Sequence, residues 1–219
     1  MAELKLTHPG LLGGWRRVLP KIFQEISSTP SRQSLAGYMR YLILAGEEVA
    51  KKAGHSVGSK AYLEVCNKFK GDGLEVLVEI LFKGRGYAGT LSVDITDYQV
   101  APSEEDYGVD GVGKNANNQR VVVQVKFRAN PKEVITYADI ARTFTDGVIN
   151  HGLIPGTPHG IVLVTTTGGI SSQCEDFFRG SVKMLTVINR RQLAKLVRGE
   201  RFWDHAYKLV EDACSTVQP

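Results

Sequence analysis

The sequence has little cysteine and no long apolar run, and each shortage excludes something. No stretch of the 219 residues approaches the roughly 20 consecutive apolar residues that cross a bilayer, so no membrane span and no membrane partner are expected. The opening MAELKLTHPG has no basic segment leading into an apolar one, so no secretory leader is expected. Cys66, Cys174 and Cys214 are odd in number and far apart, which predicts reduced thiols in a cytoplasmic setting. Neither they nor His8, His55, His151, His159 and His205 fall at zinc-ligand spacings. A GxxxxGK[ST] loop is missing, so the chain carries no nucleotide-driven motor of its own. No internal repeat, low-complexity tract or helix-turn-helix pattern is visible.

What is present is ordinary in bulk and uneven in distribution. Hydrophobic residues make up 42% and charged residues 23%, enough for a sizeable core in one large domain or in a domain with an appendage. The net charge of +4 hides a pattern. Residues 1–70 hold 11 Lys/Arg against 5 Asp/Glu, residues 71–119 hold 3 against 9, and residues 120–219 hold 13 against 9. An acidic centre between basic flanks suits a cation site inside a protein that binds a polyanion; chance clustering is the competing explanation.

The first seventy residues read as helical. Leu19–Ile26 is a short amphipathic piece, SSTPSRQS a turn, LAGYMRYLILAGEEVAKKAG a longer helix with Gly54 as its stop, and SKAYLEVCNKF a briefer one. Asp72 can cap a further helix that ends near Gly84, with Leu74, Leu77, Val78 and Leu81 on one face and Glu75 and Glu79 on another. Glu79 is expected to be exposed. LSVDITDYQV, YGVDGVG and RVVVQVKF read as strands, the last two joined by a turn at NANN. ITYADIARTFTDGVIN then reads as a helix, GIVLVTTT as a buried strand, SSQCEDFF as a short helix and VKMLTVI as a strand, with RRQLAKLV and FWDHAYKLVEDAC as closing helices. This order predicts an α/β (α+β) fold: a mixed β-sheet core flanked by helices over residues 71–219, with residues 1–70 as a helical N-terminal region.

The chemistry concentrates in one strand and the loop before it. In RVVVQVKF the side chains of Val121, Val123, Val125 and Phe127 point one way, and those of Val122, Gln124, Lys126 and Arg128 the other. The apolar set is expected to face a core helix, with Gln124 and Lys126 projecting from the opposite face. A hairpin through the polar turn would set Asp110 beside them. An acid and a second oxygen ligand can hold a hard divalent cation, and a lysine can orient water and offset charge growing on a phosphoryl group. Gln124 is neutral, so Glu75 is a candidate for the missing charge. Taken singly, Asp110 reads as a turn residue before Gly111, and Gln124 with Lys126 as a solvated edge.

Together these residues resemble the PD-(D/E)xK nuclease superfamily, and within it the Mrr-type restriction endonuclease branch, over about residues 72–200. The likeness lies in GLE at 73–75 followed by GRGY, DYGVD at 106–110, QVK at 124–126, VLVTTTGGISSQ and VINRRQLAKLV. That branch commonly has glutamine where the superfamily has its second acid. The resemblance implies a restriction-endonuclease-like fold and catalytic roles for Asp110, Gln124, Lys126 and Glu75. Asp110 would be the central metal ligand, Gln124 the second motif position, Lys126 the catalytic lysine and Glu75 the helix carboxylate, with the Val125 carbonyl completing the metal shell. Glu79 is the alternative to Glu75. Asp106 is a candidate contact to a second metal, whereas Glu104 and Glu105 read as a solvated loop. Mg2+ is the expected cofactor, with Mn2+ as a substitute.

Lys83, Arg85, Arg128, Lys132 and Arg142 are candidate phosphate contacts. So are Thr166 and Thr167, for which a tight turn is the other reading. The implied activity is a Mg2+-dependent endodeoxyribonuclease in restriction, DNA mobility (homing), or recombination and repair. DNA is the expected partner, and a homodimer or higher homo-oligomer the expected assembly, alongside a separate motor or recombination protein. The alternative is a DNA-binding or assembly protein that keeps the fold and does not cut. Residues 1–70 would serve recognition, docking or oligomerisation.

Overall fold

Helix-forming sequence fills both ends of the chain and strand-forming sequence lies between them. The computed structural model describes residues 4–84, 95–101 and 108–215. In chain order the elements are α1 (Pro9–Leu12), α2 (Leu19–Ser27), a 3-10 turn (Pro30–Arg32), α3 (Leu35–Lys52), α4 (Lys60–Lys83), β1 (Thr96–Val100), β2 (Gly111–Lys114), β3 (Arg120–Lys126), β4 (Val134–Ile135), α5 (Tyr137–Asn150), β5 (Ile161–Thr165), β6 (Gly169–Ile170), α6 (Ser172–Cys174) running into a π-helical turn (Glu175–Ser181), β7 (Leu185–Ile188), α7 (Arg190–Leu196) and α8 (Glu200–Ser215). They form two units, Met1–Ile80 with Val197–Pro219, and Leu81–Leu196. Among the described residues no helix is long and apolar enough to cross a membrane.

The first unit is helical. Leu19, Ile22, Phe23 and Ile26 make a buried stripe on α2. Phe23, Tyr38 of α3 and Trp203 of α8 pack their rings at 5.1–6.3 Å. The sequence predicts a helix starting at Asp72, and the structure corrects this: α4 runs unbroken from Lys60 to Lys83. Gly73 lies inside it because α3 comes too close for a side chain; a Cβ there would meet Leu42, and the Tyr38 hydroxyl donates to the Gly73 carbonyl at 2.6 Å. Asp72 caps nothing. It accepts from the Trp15 indole and pairs with Lys68 at 3.2 Å.

Glu79 is likewise corrected from exposed to fully buried. It accepts from Thr7 N at 2.7 Å, Thr7 Oγ1 at 2.9 Å and His8 N at 3.1 Å, which is how its charge is tolerated inside.

The second unit holds a five-stranded sheet in the order β1-β2-β3-β5-β7, antiparallel from β1 to β3 and parallel from β3 to β7. β2 and β3 form a hairpin whose turn is organised by Asn115, which accepts from Asn117 N and Gln119 N. The parallel pairing of β3 with β5 needs a crossover, and α5 provides it. Thr136 caps α5 reciprocally with Asp139. A core forms from Val122, Ile140, Ile161, Leu163, Phe178 and their neighbours. β3 is therefore an interior strand, buried on both faces.

Candidate active site

The β2–β3 register pairs Gly111 with Val123, and the Asp110 amide donates to the Val123 carbonyl at 2.9 Å. Continued by one residue, that register sets Asp110 opposite Gln124. The two side chains meet: Gln124 Nε2 and the Val125 amide both donate to Asp110 Oδ2. Asp110 is 8% exposed and Gln124 only 2%. Neither the simple turn nor the solvated edge describes them. Gln124 Nε2 also lies 3.4 Å from the Val125 carbonyl, so an amide nitrogen sits against two oxygens.

The Gln124 face of this strand is not open: the valines of the other face are buried, and so is this one. The core helix packs on the Gln124 face of β3, where a Cβ on Gly147 would lie 3.2 Å from the Val122 methyls. On that face Thr143 Oγ1 lies 2.8 Å from Gln124 Oε1. The buried stripe of α5 is small and polar at Thr143 and Gly147, which is what lets a glutamine lie beneath it. Gly108 completes the surround. Its φ of +124° turns the chain into Asp110, and a Cβ there would crowd Arg142 Cγ at 3.2 Å. Thr143 and Gly108 were not singled out by the sequence. A threonine in the apolar stripe between Ile140 and Gly147 was the available signal.

Lys126 shares the strand face of Gln124, is half-buried, and forms no ion pair with a described residue. Its carbonyl accepts from Thr165 Oγ1 at 3.1 Å and Thr166 N at 3.3 Å. Glu75 belongs to the first unit, where its Oε2 is 2.9 Å from His8 Nε2. Thr166 and Thr167 are fully buried, and their hydroxyls donate to the Arg128 and Gly169 carbonyls at 2.8 and 2.9 Å. Thr166 ties the loop after β5 to the segment after β3, and Thr167 closes the turn itself. Arg128 lies 3.6 Å from Glu133 and 3.8 Å from Asp139. Arg142, beside Gly108, and Lys132 are both exposed. Arg85, Glu104, Glu105 and Asp106 lie outside the described residues.

A family model described as "Restriction endonuclease", the Mrr catalytic domain, matches residues 66–197, more than half of the chain. The chain belongs to the Mrr-type restriction endonuclease family. Its mixed sheet with flanking helices is accordingly the PD-(D/E)xK nuclease fold of that family. A solved structure titled "MspJI Restriction Endonuclease in Complex with 27-mer Oligonucleotide" is similar at 15% identity and a TM-score of 0.38, covering 99% of this chain and 39% of that one. The chain thus spans well under half the length of that protein. No curated protein matches it.

Nucleases of this family call for a divalent metal, and the donor set can be tested against one. Among the described residues no group of three or more His, Cys, Asp or Glu gathers at a point. Mg2+ does not require such a cage; it is commonly held by one or two carboxylates, with waters and substrate phosphate filling the shell. The Asp110 carboxylate, the Val125 carbonyl and the Gln124 amide oxygen are hard donors of that kind. The spot now taken by the Gln124 nitrogen already contacts the first two. The residues fit.

Proposed function

We propose that the chain is a divalent-metal-dependent endonuclease that hydrolyses DNA phosphodiester bonds, with Mg2+ as cofactor and Mn2+ as substitute. The observation that carries this reading is the buried Asp110–Gln124 pair with the Val125 carbonyl beside it and Lys126 on the same strand face. When bound, the metal supplies Lewis-acid polarisation and lowers the pKa of a coordinated water. Asp110, Gln124 and the Val125 carbonyl hold it. Lys126 orients the attacking water and offsets charge as it grows on the phosphoryl oxygens. Lys132 and Arg142 contact backbone phosphates.

Restriction of foreign DNA is the use closest to the family's character; mobility and recombination or repair employ the same chemistry. Cutting both strands with one site per chain calls for a homodimer or larger homo-oligomer. Residues 1–70 serve docking, recognition or oligomerisation, and a separate motor or recombination protein is the partner in those uses.

The test is single-turnover cleavage of duplex DNA by the wild type and Lys126→Ala, in Mg2+ and in EDTA. Cleavage should need Mg2+ and should nearly vanish in a folded Lys126→Ala. Wild-type rates in that variant would move the chemistry elsewhere. A second reading, a DNA-binding protein that does not cut, is favoured by one observation: Gln124 Nε2 donates to Asp110 Oδ2. That protein would bind duplex DNA and leave plasmid, methylated plasmid, single strands and four-way junctions intact in Mg2+ or Mn2+.

A further inference from the structure

Thr143 has one hydroxyl proton and several claimants to it. Its Oγ1 lies 2.8 Å from the Gly108 carbonyl, 2.8 Å from Gln124 Oε1 and 3.2 Å from the Asp139 carbonyl. A hydroxyl donates once. With Gln124 Oε1 turned toward it, only one of the two 2.8 Å contacts is a hydrogen bond, and the other sets lone pairs against lone pairs. Thr143 is fully buried, so the mismatch is not relieved by bulk solvent. On the far side of the same amide, the nitrogen occupies the corner between Asp110 Oδ2 and the Val125 carbonyl.

A half-turn of the amide about its last rotatable bond exchanges oxygen and nitrogen and keeps its shape. Nε2 then donates to Thr143 Oγ1, and Thr143 donates to the Gly108 carbonyl, so both 2.8 Å contacts are satisfied. Oε1 joins Asp110 and the Val125 carbonyl in an all-oxygen corner. Without a cation that corner repels itself; with a divalent ion each of these groups is matched.

We infer that Gln124 is a two-state ligand and that Thr143 is the positioning residue that permits its metal-bound state, by reversing the polarity of its hydrogen bond as the amide turns. This rests on the metal-dependent reading above and adds a residue that touches Gln124 and not the metal. Serine retains the reversal. Valine fills the same space and can neither donate nor accept.

The experiment is calorimetric titration of the full chain with Mg2+ and with Mn2+, for wild type, Thr143→Ser and Thr143→Val. It is joined to spectra of the 15N-labelled side-chain amides, the Gln124 signals being assigned by their loss in Gln124→Glu. Thr143→Ser should bind metal within about twofold of wild type. Thr143→Val should bind about tenfold more weakly or worse, because the turned amide leaves a buried N–H unpaired. The Gln124 amide signals should move on Mg2+ addition in the wild type and in the serine variant. Wild-type affinity in a folded Thr143→Val, checked by thermal unfolding, overturns the role of Thr143. Should the valine variant not fold, the wild-type and serine amide signals decide, and signals unmoved at metal saturation overturn the inference. A wild type that binds neither metal, with or without duplex DNA, brings down the metal-dependent reading itself. That result is distinct from a wild type that binds metal while Thr143→Val binds equally well.

Discussion

The His8 imidazole meets the Glu75 carboxylate at 2.9 Å through Nε2, while its Nδ1 accepts the Gly10 amide at 3.0 Å. Accepting at Nδ1 requires a lone pair there, so the proton sits on Nε2 and is donated to Glu75. One turn along α4, Glu79 takes three donors from Thr7 and His8. The N-terminal segment is thus keyed to two carboxylates of one helix face.

Glu79→Ala should cost about 2–3 kcal/mol, since it leaves buried donors without their acceptor. Glu79→Gln should cost less, because its amide oxygen can still accept. Denaturant unfolding of the two variants checks the order. Equal and negligible losses would mean that the segment is not held by Glu79.

Burial holds the Tyr38 hydroxyl well above its ordinary pKa near 10. The folded chain therefore keeps a proton that the unfolded chain releases. Stability from this residue is complete below pH 10 and falls as pH rises beyond it. Tyr38→Phe should flatten that alkaline decline while losing the 2.6 Å bond to Gly73. Gly73→Ala should destabilise by about 1–3 kcal/mol, because crowding against buried Leu42 outweighs a helix-propensity gain of about 1 kcal/mol. Unfolding curves between pH 8 and 11 test both changes, with the Tyr38→Phe outcome read as a slope and not as an offset.

At Gln124 the oxygen is the working atom. Gln124→Glu should keep substantial cleavage in Mg2+, since a carboxylate is a stronger ligand of similar reach. Gln124→Ala should lose far more, and Asp110→Ala should abolish metal-dependent cleavage. Single-turnover rates rank the three. If Gln124→Ala cleaves as well as Gln124→Glu, the residue is a packing element of β3.

Binding should separate from cutting. Asp110→Ala should still bind duplex DNA, and should bind it more tightly where removing the acid relieves repulsion with phosphate. Affinity should fall by about tenfold for every two phosphates contacted between 50 and 200 mM salt. An affinity that ignores salt over this range would contradict a phosphate-contact mode.

Much of the site was legible because a strand alternates with period two and a hairpin fixes its partner. Asp110, a polar turn and QVK at 124–126 carry enough information to place acid against amide. Glu79 was not legible: as one of two acids on a helix face it looks solvated, and only the distant Thr7 and His8 amides make its burial affordable. A helix start at Asp72 is a local reading, whereas the close approach that Gly73 accommodates comes from α3.

By itself the sequence determined most of the larger helices and the sheet strands, the hairpin and the candidate chemistry, since each depends on periodicity or on residues close along the chain. Only the tertiary structure decided which face of β3 receives α5, that α4 is one helix, and that the Thr166 and Thr167 hydroxyls bond to the Arg128 and Gly169 carbonyls. Those outcomes depend on which distant group supplies a hydrogen bond or fills a space, and no local pattern of residues encodes that.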